Sequence, residues 1–129
     1  MRVTIKDIQR MKDNAHKISM ITAYDYTSAI LSERAGVPVI LVGDSPGQVV
    51  MGYDSTIPVT MDDMVHHTSM VARSTKDSHI VGDLPFMSYQ ASKEDAVANA
   101  GRLLQEGGCQ SVKLEGGTSV VGVVEKIVA

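Results

Sequence analysis

Four ionisable residues stand where apolar runs end. Val39 to Val42 leads into Gly43-Asp44-Ser45-Pro46, and His79 to Gly82 leads into Asp83-Leu84-Pro85. Ser111 to Leu114 carries Lys113 and leads into Glu115-Gly116-Gly117. In parallel sheets, ligands bind at the carboxyl ends of the strands. Asp44, Asp83, Lys113 and Glu115 are therefore the candidate site. Lys113 and Glu115 are two residues apart, so their side chains project from the same face of an extended segment. Three carboxylates beside one amine are costly to bury uncompensated. A divalent cation relieves that repulsion, and a sparse all-oxygen donor set suits magnesium, which keeps positions open for water or substrate. A single Asp after a strand often does no more than shape a turn, and the prolines fit that role too. The repeat of Gly-Asp-x-Pro, joined by Lys-x-Glu, favours the converging site.

The elements that must position these residues alternate. Thr4 and Asp7 form a capping box for a short helix through about Lys12, with Ile5, Ile8 and Met11 on its apolar side. Ile18 to Ala23 reads as a first strand. Asp25 caps a helix that ends before Gly36, where a left-handed cap is expected. Val37 to Val42 is a second strand, apolar throughout as for a strand buried on both faces. Gly43 to Pro58 is a long connection of the kind that carries function. Thr60 and Asp63 open a helix whose apolar positions are Met61, Val65, Thr68, Val71 and Ala72. His79 to Gly82 is a third strand. Ser92 and Asp95 open a helix with Val97, Ala100 and Leu104 on one face, ended by Gly107-Gly108. Ser111 to Leu114 is a fourth strand, and Thr118 or Ser119 caps a last helix.

Strand then helix, four times over after an N-terminal helix, predicts an α/β fold with a parallel sheet and right-handed crossovers. Two architectures meet that pattern, an open doubly wound sheet and a (β/α)8 barrel. A barrel takes about 250 residues, and this chain has 129, so the expectation is one domain over residues 1–129: a small open domain or the first half of a barrel.

Composition narrows the partners. A net charge of −3 gives no basis for binding nucleic acid or an anionic membrane, and aromatics at 4% without Trp give no base-stacking platform. No apolar run reaches the roughly 18 residues that span a bilayer. The lone Cys109 makes no internal disulfide, which fits a cytoplasmic location, and it reads as a buried structural thiol. His66 and His67 are adjacent in a helix and face different ways, so they read as one surface and one packing histidine. Gly116-Gly117-Thr118 lacks the spacing of a phosphate loop and reads as a tight turn.

Taken together, Thr22-Ala23-Tyr24-Asp25, Val42-Gly43-Asp44-Ser45, Gly82 to Tyr89, Val112 to Gly117, Thr60 to Met64 and His67-Thr68 resemble the ketopantoate hydroxymethyltransferase family, in order along the whole chain. The resemblance implies a (β/α)8 TIM barrel, here its first four βα units as a half barrel. It implies transfer of a hydroxymethyl group from methylenetetrahydrofolate to 3-methyl-2-oxobutanoate, giving ketopantoate in pantothenate biosynthesis. Asp44 and Asp83 would be direct magnesium ligands that also border the substrate, and Glu115 would hold the metal through water. Ser45 would hydrogen-bond the substrate carboxylate, and Lys113, the candidate catalytic residue, would contact the substrate oxygens. Magnesium would stabilise an enolate made next to the ketone. The family also implies a homo-oligomer, commonly a decamer.

Nothing in this chain matches the glutamate that serves the family as general base, nor its histidine stretch. The expectation is a fragment that binds magnesium weakly and does not turn over, with raw sheet edges that invite association. Two other readings compete. One is a magnesium-dependent α-keto acid lyase or mutase of the phosphoenolpyruvate and isocitrate lyase group. The other is a truncated half barrel that does no chemistry and only self-associates.

Overall fold

A computed structural model describes residues 1–129. Helix α1 covers Ile5–Asp13, strand β1 Met20–Thr22, α2 Tyr26–Arg34, β2 Val39–Val42 and α3 Pro46–Val49. Then follow α4 (Met61–Ser74), β3 (His79–Asp83), α5 (Lys93–Gln105), β4 (Ser111–Lys113), a 3-10 turn over Thr118–Val120 and α6 (Val121–Val128). All four strands are parallel, in the order β1-β2-β3-β4. Each crossover therefore steps the same way across the sheet. A doubly wound sheet reverses its strand order at a switch point, and this sheet does not.

Local signals account for the helix starts. Thr4 with Asp7 and Thr60 with Asp63 form complete capping boxes, while Asp25 and Ser92 accept backbone N–H groups from Ser28 and Asp95. Each satisfies a donor that the first turn leaves unpaired. Gly36 has φ +81, the left-handed conformation expected just past α2. The expected cap at Thr118 or Ser119 is absent: α6 follows the 3-10 turn directly, with Val120 at its N-cap and no side-chain bond.

The strands are shorter than the apolar runs. β2 starts at Val39 rather than Val37, because Pro38 has no N–H to give the ladder. β1 covers three residues of the expected Ile18 to Ala23 and is exposed along its length. Ile40, Val42 and Ile80 are fully buried beneath the helices, whereas Leu41 and Val81, on the opposite face, are half-buried. α4 packs on β2 and β3, and α5 on β4. Two helix faces are rotated from expectation. α4 buries Met64, His67, Thr68 and Val71, leaving Met61, Val65 and Ala72 half-buried. α5 buries Ala96, Ala100 and Leu103 and leaves Val97 and Leu104 exposed. The small alanines suit close approach to the sheet, where a Cβ on Gly82 would stand 3.2 Å from Cys109 Sγ and 3.4 Å from Leu103. Leu104 instead lines an open groove of about 950 Å³ with Val112, Leu114, Val120 and Val124.

The sheet end away from the candidate site is tied by polar bonds. Arg2 donates to the carbonyls of Ser78 and Thr75. Buried His79 donates from Nδ1 to the Val3 carbonyl, 2.9 Å away, and Nε2 accepts from the Ser111 hydroxyl at 2.8 Å. Glu33 of α2 accepts backbone N–H bonds from Lys76, Asp77 and Ser78 in the turn before β3. Burial alone would raise the Glu33 carboxyl, but the bonds from Ser78, Asp77 and Lys76 outweigh it and hold it below its ordinary 4.5. Its contribution to stability is therefore present above pH 4.5 and lost as the pH falls through the lower folded value. Glu33→Ala is expected to cost about 1 kcal/mol at neutral pH, since water replaces it at the exposed Lys76 and Asp77 donors and only the Ser78 N–H is shielded. Chemical denaturation from pH 7 down to about pH 3 should show the difference from the parent shrinking on acidification. A pH-independent difference would contradict the account.

Candidate active site

The carboxyl ends of β2, β3 and β4 bring the predicted residues together. Asp83 is the last residue of β3 and pairs in register with Lys113, the last of β4. The β2–β3 register places Val42 opposite Gly82. Asp44 thus lies one step further along than Asp83, despite the shared Gly-Asp-x-Pro pattern. Asp44 and Ser45 are half-buried between β2 and α3, and Glu115 lies exposed beyond β4. Short helix α3 falls inside the segment expected to be a loop. Its Pro46 fits the first helical position, so the helix start was available in the sequence.

Asp83 is the buried centre, at 3% exposure. Its Oδ2 accepts the Asp44 backbone N–H at 3.2 Å. Its Oδ1 lies 2.9 Å from Lys113 Nζ, close enough for an ion pair but without the alignment of a hydrogen bond, and it has no other partner. Lys113 also reaches Glu115 Oε1 at 3.5 Å. Burial, the largest influence, holds the Asp83 carboxyl above its usual range in spite of the Lys113 ammonium. Burial pulls Lys113 the other way, yet its close contact with the Asp83 carboxylate leaves it above its usual range.

Asp44, Asp83 and Glu115 all line one cavity of about 100 Å³, closed by Thr56, Ile57, Leu84, Phe86, Tyr89 and Gln90. Three carboxylates on the rim of one small cavity offer oxygens of the kind a hard divalent cation takes, although Asp83 Oδ1 is ion-paired with Lys113 and no three acidic side chains converge closely enough here to enclose an ion. The donors are all oxygens, as magnesium prefers. Buried Tyr89 supports this corner, since its hydroxyl accepts the Glu115 backbone N–H at 3.1 Å.

Three participants escape a reading from residue types alone. Tyr89 is one. Tyr24 is another: its hydroxyl lies 2.6 Å from Ser45 Oγ. Gly43 is the third, because a Cβ there would meet Ser45 Oγ at 3.3 Å and Asp83 Oδ2 at 3.6 Å. All three fall within the motifs that carry the family resemblance, which was the available signal. His67 is buried and bonds through Nδ1 to the Tyr24 carbonyl at 2.6 Å, while His66 is exposed, so the packing and surface roles hold. Cys109 is buried and pushed up to about 11 by that burial, which makes it an inert thiol.

A family model described as ketopantoate hydroxymethyltransferase matches residues 2–129. The 3-methyl-2-oxobutanoate hydroxymethyltransferase of Chloroflexus aurantiacus (strain ATCC 29366 / DSM 635 / J-10-fl) is 56% identical over 128 residues, covering 99% of this chain and 45% of its own length. That of Carboxydothermus hydrogenoformans is 58% identical over 127 residues, covering 98% and 46%. The chain spans about half the length of the curated relatives it matches. Among solved structures, a 2,3-dimethylmalate lyase described as a PEP mutase/isocitrate lyase superfamily member superposes with a TM-score of 0.71 at 13% identity, over 99% of this chain and 48% of that one. At that identity the likeness is one of fold alone.

Proposed function

Because the chain belongs to the ketopantoate hydroxymethyltransferase family, we propose that its strand ends form the metal and 2-oxo acid part of a one-carbon transferase site. One observation carries this reading: Asp44, Asp83 and Glu115 border a single small cavity at the strand ends, with the Lys113 ammonium 2.9 Å from Asp83. The sequential strand order and the helices packed on one face support four βα units of a (β/α)8 barrel. The proposed reaction moves a hydroxymethyl group from methylenetetrahydrofolate to 3-methyl-2-oxobutanoate. The exposed edge strand β1 and the apolar groove beside β4 lie where the remaining strands and helices of such a barrel would pack, and the whole protein would associate with further copies. A cytoplasmic location fits the free, unreactive Cys109.

Each residue then has a task. Asp44 and Asp83 would hold magnesium directly, and Glu115 through water. The bound ion would supply positive charge beside the keto oxygen of the substrate. Ser45 would donate a hydrogen bond to the substrate carboxylate. Lys113 would add a second positive charge where negative charge develops on the substrate. Its ammonium stands 2.9 Å from Asp83 Oδ1, at the strand ends. Buried Leu84 and Tyr89 wall the site.

Calorimetric titration with 3-methyl-2-oxobutanoate tests the assignment. Binding is expected in magnesium and absent when a chelator replaces it. Equal binding under both conditions would remove the metal from the reading.

A further inference from the structure

We propose that Tyr24 is a positioning residue for this site, orienting the Ser45 hydroxyl toward the carboxylate of a bound 2-oxo acid. The inference rests on the functional reading above and adds to it a residue that does not itself touch the substrate.

The conformation of Ser45 is the first clue. It occupies the N-cap position of α3, where a serine side chain normally accepts a backbone N–H of the first turn. Ser45 makes no such bond. Its backbone, at φ −60 and ψ −14, is already helical rather than extended, so the hydroxyl is freed from capping. It turns to Tyr24 instead, across the tops of β1 and β2, at 2.6 Å. The Ala23 N–H bond to the Leu41 carbonyl extends the pairing of these strands one residue past β1 and fixes the crossing.

Proton accounting then sets the direction. A serine hydroxyl has one proton and two lone pairs, and an ionised carboxylate only accepts. With an anion bound, Ser45 must spend its proton on the carboxylate. The Tyr24–Ser45 bond then persists only if the Tyr24 hydroxyl is the donor. The chain runs from Tyr24 O–H to Ser45 O–H to the carboxylate, and each bond polarises the next. Without the phenol, the Ser45 hydroxyl rotates freely and loses its aim.

Two neighbours hold the relay in place. The Tyr24 carbonyl accepts from His67 Nδ1 at 2.6 Å, and His67 is buried in α4. This anchors the backbone of Tyr24 to the helix layer. Gly43 lies between the relay and the carboxylates: a Cβ there would meet Ser45 Oγ at 3.3 Å and Asp83 Oδ2 at 3.6 Å.

The test combines Tyr24→Phe, Ser45→Ala and the double variant, titrated with magnesium alone and with 3-methyl-2-oxobutanoate in magnesium. Tyr24→Phe keeps the ring and removes only the hydroxyl. It is expected to weaken 2-oxo acid binding about 10-fold, to leave magnesium binding at the parental value, and to lower the thermal midpoint by no more than the loss of one part-buried hydrogen bond. A merely structural role would weaken magnesium binding as well. The double variant should bind no more weakly than Ser45→Ala, because Tyr24 acts only through Ser45. Parental affinity in Tyr24→Phe, or losses that multiply in the double variant, would overturn the relay while leaving the site intact. No 2-oxo acid binding by the parent protein would overturn the site reading, and the relay with it.

Discussion

Asp83→Asn is expected to abolish magnesium-dependent binding of 3-methyl-2-oxobutanoate. Loss of an outer partner at a metal site typically costs about 10–100-fold in affinity, so loss of a direct ligand should cost at least about 100-fold. The amide keeps an oxygen to accept the Asp44 N–H, and it removes the charge that burial opposes. The variant should therefore stay folded, with a thermal midpoint somewhat below the parental one because the Lys113 ammonium loses its partner. That separates a lost ligand from a lost fold. Calorimetry beside a thermal melt checks both. Undiminished binding in a folded variant would take Asp83 off the metal.

Lys113→Met probes the same pair from its other side. The methionine keeps an apolar stem and removes the ammonium 2.9 Å from Asp83 Oδ1. Breaking a fully buried pair costs roughly 3–5 kcal/mol. Lys113 retains 32% exposure, so a loss of about 2 kcal/mol is expected at neutral pH. The pH dependence follows from Asp83, whose carboxyl burial already holds above its ordinary 3.8 and which rises further without Lys113. A group raised in the folded state favours folding while protonated and loses that contribution as the pH climbs through the folded value. The gap between variant and parent should widen from acid to neutral pH. Urea denaturation across that range reads it directly, and a constant gap would mean that packing, not charge, links the two residues.

Much of this was legible in the chain because it is local. A threonine followed three residues later by aspartate gives its own helix start, and both predicted boxes at Thr4 and Thr60 form. The glycine after α2 and the apolar run of β2 are equally local. The strand-end charges could be read because a parallel sheet gathers its carboxyl ends at one edge. Features set by contacts between distant segments were not legible. Leu103 rather than Leu104 faces the core because Gly82 and Cys109 admit α5 closely on that side. Glu33 looks like an ordinary surface carboxylate until the turn at Lys76 to Ser78 is seen above it. Tyr24 and Ser45 are 21 residues apart, and only the crossing of two strand tops joins them.

Manganese(II), a paramagnetic stand-in for magnesium, tests the central claim most directly through selective broadening of backbone amide signals. The account predicts that Asp44, Ser45, Leu84 and Glu115 broaden first, while Val3, His79 and Gln110 at the far end of the sheet stay sharp. Broadening centred on Asp62 and Glu106, which flank Arg102 on the outer surface, or spread evenly over the chain, would contradict a metal site at the strand ends.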